Sequence, residues 1–129
     1  MLAALRLDAE RLPTPRADGD REALRILLGA RQELTTASAA QTNRLRALLL
    51  GGDDTDRELT RAALTDTRLA SLARRRPPRE ASREQAVRHA EIRRLALALR
   101  EAARALKANR VQLQTIVNDV VPGLIERRG

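Results

Sequence analysis

The sequence has no phenylalanine, tyrosine or tryptophan, and no cysteine. Aromatic rings are normally the largest contributors to a core, so any interior here must be thin and built from small aliphatic groups. A protein without rings also has nothing on which successive bases can stack, which disfavours single-strand binding of that kind. Lack of cysteine removes disulfides and thiolate metal sites. Histidine occurs once, as His89. With no second His or Cys to share a metal and charges on either side, it reads as a solvated residue without an assigned role. The longest apolar stretches, such as Leu48 to Leu50, fall far short of the roughly 20 residues that span a bilayer. No basic-then-apolar leader precedes residue 20. These absences together fit a soluble cytoplasmic protein with no membrane partner.

What is present is helix-forming. The hydrophobic share of 43% is mostly Ala and Leu, and with Arg, Glu and Gln these are strong helix formers. Strand-favouring residues are scarce, so the expected class is all-α, with long helices in an antiparallel coiled-coil hairpin or small bundle and no sheet. At 129 residues the chain is of single-domain size. Lys plus Arg number 25 against 17 Asp plus Glu, a formal charge of +8, and every basic residue except Lys107 is arginine. Such a surface favours a polyanion, and the planar arginine fork suits phosphate; a GC-rich coding sequence would also raise the arginine content.

Along the chain, Leu2 to Leu12 has helical character and stops at Pro13 and Pro15. A long helix is expected from an N-cap at Asp18, with Asp20 and Glu22 in its first turn, to Leu50 before Gly51-Gly52. Leu27, Ala30, Leu34, Ala37, Gln41, Leu45 and Leu48 form one stripe on it, and the stripe needs a partner. Residues 51–81 read as a short helix and a basic linker. Asp53 or Asp54 and the pair Thr55 and Glu58 can form a capping box, opening a helix with a weak stripe through Leu59, Ala62, Ala63, Leu69 and Leu72 to about Arg74. Arg74-Arg75-Arg76-Pro77-Pro78-Arg79 then breaks it. Ser82 and Gln85 offer a second capping box, opening a helix of about 40 residues, near 60 Å, that Pro122-Gly123 should end.

Within this last helix Ile92, Leu95, Leu99, Ala102, Leu106, Asn109, Leu113, Ile116 and Val120 recur at alternating steps of three and four. That is a coiled-coil seam, expected to pack against the first stripe or a second copy of the chain. Asn109 is the polar member; an amide there costs stability but pins register.

No catalytic centre is legible. Asp18 and Asp20 lie at one helix start and Asp53, Asp54 and Asp56 at another, where capping is the expected role. Ser38, Ser71 and Ser82 lack a nearby base, and the glycines make no phosphate-cradling loop. Candidate nucleic-acid contacts remain: Arg44 and Arg46 on the first helix, with Arg25 and Arg31 before them, and Arg74, Arg75, Arg76 and Arg79 in the linker. Each is weighed against a plain solvated surface. Adjacent arginines repel one another unless an anion relieves them, so the linker cluster is the stronger candidate.

One resemblance adds to this. The stretch from Thr14 through Asp18-Gly19-Asp20-Arg21-Glu22 to Gly29-Ala30-Arg31, followed by Thr42-Asn43-Arg44-Leu45-Arg46-Ala47-Leu48-Leu49, resembles transposases of the insertion-sequence 110 family. A segment like Val121-Pro122-Gly123-Leu124 to Gly129 leads into the C-terminal domain there. The resemblance covers most of the chain, is strongest over residues 12–50 and near the end, and is poor over Gly51 to Glu80. It implies a helical middle between a DEDD nuclease-like domain and a domain carrying a catalytic serine. Residues 1–17 would be a remnant of the upstream domain and linker, and 122–129 the start of the downstream one. No family catalytic residue maps onto this sequence, so no catalytic or metal-ligating residue is assigned and no cofactor is expected in it. For the parent protein the resemblance implies DNA transposition by recombination with a divalent metal such as magnesium. It also implies DNA and a structured guide RNA as partners and a homodimer or higher oligomer, to which this chain would contribute a coiled-coil scaffold. The rival reading is a stand-alone basic coiled-coil adaptor or nucleoid-type DNA binder. A nuclease would need converging acids that are not found.

Overall fold

A computed structural model describes the backbone of residues 15–128 and the side chains of residues 18–120. The expected helical character of Leu2 to Leu12 and the readings placed on residues 1–14 and on Gly129 lie outside the described residues. Among the described residues four helices follow one another: α1 (Pro15–Leu50), α2 (Asp54–Leu59), α3 (Asp66–Arg74) and α4 (Arg83–Arg128). No strand occurs among the described residues. The chain is all-α, and its two long helices pack against each other.

Helix α1 starts at Pro15, not at an Asp18 cap. Proline is favoured in the first turn because its missing N–H would be unsatisfied there anyway and its φ is already helical. Asp18 then sits in that first turn, where its charge meets the positive end of the helix dipole. At the other end Gly51 and Gly52 leave the helix, with Gly51 N–H bonded to Ala47 O.

The helix expected from Thr55 to Arg74 is two helices. Of the caps expected there, Asp53 is the one used: in extended conformation, it caps α2 by accepting from Asp56 N–H at 2.8 Å. The chain then turns through 60–65, and Thr65 caps α3 by accepting from Arg68 N–H. Splitting the helix swings Leu69, Leu72 and Ala73 of α3 into the interior, so the stripe that looked weak supplies one wall of the core. Helix α4 opens on the reciprocal box: Ser82 N–H donates to Gln85 Oε1 and Gln85 N–H donates to Ser82 Oγ. It runs past Pro122 and Gly123 to Arg128, instead of ending there. A proline inside a helix costs one backbone hydrogen bond and favours a bend, but it need not stop the helix.

Two compact units are present. In the one spanning Gln32–Ala108, α1 and α4 run antiparallel: Arg88 reaches Leu48 O at 2.9 Å, and Arg44 faces Glu91 at 3.9 Å. Leu45 and Leu49 of α1, Leu69, Leu72 and Ala73 of α3, and Ile92, Leu95, Ala96 and Leu99 of α4 make the core, all of it aliphatic. The seam members Ala102 and Leu106 are half-buried. On the stripe of α1, Ala37 is exposed and Leu49, not assigned to it, is fully buried.

The second unit comprises the described residues up to Arg31 and from Asn109 onward. There the Asn109 amide, only 4% exposed, donates to Leu27 O at 2.8 Å, so the polar seam residue binds the facing helix of its own chain. Leu113 and Ile116 are half-buried, and Val120, the last seam position, is exposed. An apolar groove lined by Ala23, Ile26, Leu27, Val111, Thr115 and Ile116 lies beside them.

Candidate anion-binding face

The expected nucleic-acid arginines divide into two sets, according to whether the fold uses them. Arg46 is used. Its guanidinium, half-buried on α1, donates to Thr60 O at 2.8 Å and Ala62 O at 3.4 Å. It thereby satisfies carbonyls at the end of α2, where cations are favoured by the dipole. Arg88 does the same for α1, whose last turn holds no basic residue of its own. Arg44 is largely exposed and lies near Glu91. Of the earlier arginines on α1, Arg25 pairs with Glu22 at 2.8 Å on the surface and Arg31 is half-buried.

Arg75 is used most fully. It forms an ion pair with Asp56, whose side chain is only 4% exposed, and its Nε donates to His89 Nδ1 at 3.3 Å. Asp56 therefore departs from its expected capping role: it faces inward and binds an arginine nineteen residues away. A buried carboxylate needs such a partner, because removal from water is otherwise prohibitive. Gly52 makes room for it. A Cβ at position 52 would lie 2.8 Å from both Cβ and Cγ of Asp56, a contact that real side chains do not tolerate. His89 likewise departs from the solvated reading. It is half-buried, and since Nδ1 accepts from Arg75, the neutral ring carries its proton on Nε2. Burial and, next, the Arg75 charge push its pKa below the ordinary histidine value, against the opposing pull of Asp56 and Asp53. It is uncharged at neutral pH.

Arg74, Arg76 and Arg79 are exposed, and none of their side chains has an ion pair or hydrogen bond to another described residue. Their segment is held open. Arg75 is extended (φ −66°, ψ 137°), and Arg76 and Pro77 each precede a proline, which disfavours the helical region. This segment lies against α4 and borders an open cleft of about 370 Å3 lined by Arg75, Arg76, Pro77, Ala86, His89, Ala90, Arg93, Arg94 and Leu97. The α4 residues stand at steps of three and four, on one face of the helix. Arg94 is bound to Glu91, the hydrogen bonds from Arg94 holding that carboxyl below its ordinary pKa. Arg93 is exposed and unpaired among the described residues. Sequence reasoning missed Arg93 and Arg94, though the spacing Ala86-His89-Ala90-Arg93-Leu97 was there to mark a second face of α4.

This arrangement concentrates positive charge on concave apolar walls, an environment that strengthens attraction for an anion. No group of three or more His, Asp or Glu suited to a metal occurs among the described residues, and no helix described is long and apolar enough to cross a membrane. Compared with protein-family models, curated proteins and solved structures, the chain matches none.

Proposed function

We propose that this chain is the helical scaffold of a bacterial insertion-sequence transposase and contacts nucleic acid through the basic turn after α3. The single observation that carries the nucleic-acid part is the contrast between used and unused arginines. Arg46, Arg75 and Arg88 are committed to carbonyls and carboxylates, whereas Arg74, Arg76 and Arg79 stand exposed on a proline-stiffened segment without a described partner. Three unrelieved cations in six residues raise the local potential, and phosphate is the ligand that arginine forks fit best. The resemblance over Thr14 to Arg31 and Thr42 to Leu49 supports the transposase part.

In this reading DNA transposition by recombination, with its divalent metal, belongs to the parent protein in the cytoplasm, and the chain alone does not cut DNA. DNA is the expected partner, with a structured RNA as the second. Exposed Ile26 and Val111 at the apolar groove favour self-association, as a homodimer or larger assembly. The same exposed residues favour, as the alternative, a stand-alone coiled-coil interaction module.

The test is binding of a fluorescent duplex and of a structured RNA at low salt, beside the mass in solution by light scattering. Wild type should bind and the triple Arg74, Arg76 and Arg79→Ala variant should not, while Arg44→Ala, paired with Glu91, should bind nearly as wild type. A wild-type chain that ignores both nucleic acids would overturn the reading.

A further inference from the structure

We propose that the cleft between the Arg75–Pro77 segment and α4 is a binding pocket for a phosphate dianion, held by Arg76 and Arg93. It rests on the reading of the basic turn as an anion-facing surface and narrows that surface to one site and one ligand chemistry.

The argument begins with the charges around the cleft. Four arginines line it: Arg75, Arg76, Arg93 and Arg94. Asp56 binds Arg75 and Glu91 binds Arg94, each from a residue that does not line the cleft. His89 is neutral. Two charges, on Arg76 and Arg93, are left without a counter-ion among the described residues. A phosphate monoester carries a charge of about −1.5 to −2 at pH 7, whereas an internal phosphodiester carries one negative charge per phosphate, so the unmatched charge fits the monoester better.

Shape points the same way. An unbroken duplex backbone presents a phosphate flanked by sugars on a convex surface, which suits an open basic ridge such as Arg74 and Arg79. The cleft is concave, and its floor is Pro77, Ala86, Ala90 and Leu97. A terminal phosphate enters such a space with its sugar carbons against the apolar floor. The anchors are also pre-positioned. The backbone of Arg76 is confined by the following proline, and that of Arg93 by the middle of α4, so little backbone freedom remains to be lost on binding. The Asp56–Arg75–His89 chain holds the segment against α4 and keeps the cleft open.

The shared chemistry is a phosphate monoester or free orthophosphate, and one built-in probe reads its arrival. His89 is the sole histidine and lines the cleft, so its ring signals in an NMR spectrum of the full-length chain are unambiguous. Titration with inorganic phosphate at fixed pH and ionic strength should shift them saturably, and chloride should not. Arg93→Gln and Arg76→Gln should each weaken the apparent affinity by about tenfold, the loss of one charge-assisted hydrogen bond. Circular dichroism checks that both variants stay helical. Two oligonucleotides of one sequence, with a 5′-phosphate or a 5′-hydroxyl, distinguish the sources. Preference for the phosphorylated strand that vanishes in Arg93→Gln places a strand end in the cleft; saturation by orthophosphate without that preference leaves a small free phosphate as the ligand. Shifts that never saturate, that chloride reproduces, or that persist in both variants overturn the site. Duplex binding lost in an Arg74 and Arg79→Ala variant but untouched by Arg93→Gln, with no phosphate saturation, would sink the pocket and leave the scaffold reading standing. Phosphate saturation without duplex binding would do the reverse.

Discussion

Removing either partner of the Asp56–Arg75 pair should have unequal effects, and the burial of each side chain gives the order. Asp56 is 4% exposed and Arg75 26% exposed. Breaking a buried ion pair typically costs about 3–5 kcal/mol, because the surviving charge is left in a poor solvent. Asp56→Asn leaves Arg75, which can turn partly toward water, so its cost should lie near the lower bound, about 3 kcal/mol. Arg75→Met strands the Asp56 carboxylate and also removes the Nε bond to His89, so it should cost more, nearer 5 kcal/mol. The double variant removes both charges, and with no ion left buried it should recover most of the loss. A double-mutant cycle by urea unfolding, followed by circular dichroism, measures the coupling. Intrinsic fluorescence cannot serve, since the chain has no tryptophan or tyrosine. The reasoning is refuted if each single variant costs below about 1 kcal/mol, the size of a solvent-screened surface pair. It fails equally if Asp56→Asn is the more damaging of the two.

Other perturbations follow from the same packing. Leu45→Ala, at a fully buried position, should cost about 2–5 kcal/mol, whereas Val120→Ala, at the exposed end of the seam, should change the melting temperature little. Asn109→Leu should raise stability by about 1 kcal/mol in thermal unfolding, since the buried Oδ1 accepts no hydrogen bond among the described residues and the amide makes one. Gly52→Ala should destabilise by about 1–3 kcal/mol through overpacking against Asp56. His89 has a folded-state pKa below its unfolded value, so the folded chain binds fewer protons there. Its contribution is present above about pH 6.5 and is lost as pH falls through the folded value. Stability curves should therefore decline less between about pH 7.5 and 5 in His89→Gln than in wild type.

The parts of the fold that were legible in sequence are those decided locally. The lack of rings and strand formers marked the all-α class. Gly51-Gly52 marked the end of α1, and the Ser82–Gln85 spacing marked the start of α4 with its reciprocal bonds. Ile92, Leu95 and Leu99 were legible as one apolar face because a three-and-four spacing has only one geometric meaning on a helix, whereas whether that face met the first stripe or a second copy was left open. Long-range choices were not legible. An aspartate in a first turn reads as a cap, and only the fold brings Arg75 to Asp56 and makes it an ion-pair partner. The bonds that Arg46 makes within the fold were hidden for the same reason: the carbonyls it satisfies lie 14 and 16 residues ahead. The break between α2 and α3 escaped notice because Thr65 resembles any other polar helix residue until its side chain is seen capping Arg68 N–H. The candidate cleft needed both kinds of information, with the basic turn visible in sequence and its α4 wall visible only once the extended segment lay against it.

The central claim, that the unused arginines face nucleic acid, is tested most directly by the salt dependence of duplex binding. Each phosphate contact contributes about −0.9 to the slope of log K against log salt on duplex DNA. If Arg74, Arg76 and Arg79 each neutralise one phosphate, the triple Ala variant should have a slope shallower than wild type by about 2.7. Arg44→Ala should leave the slope nearly unchanged. Equal slopes for wild type and the triple variant would contradict the account, because the binding charges would then lie elsewhere on the chain.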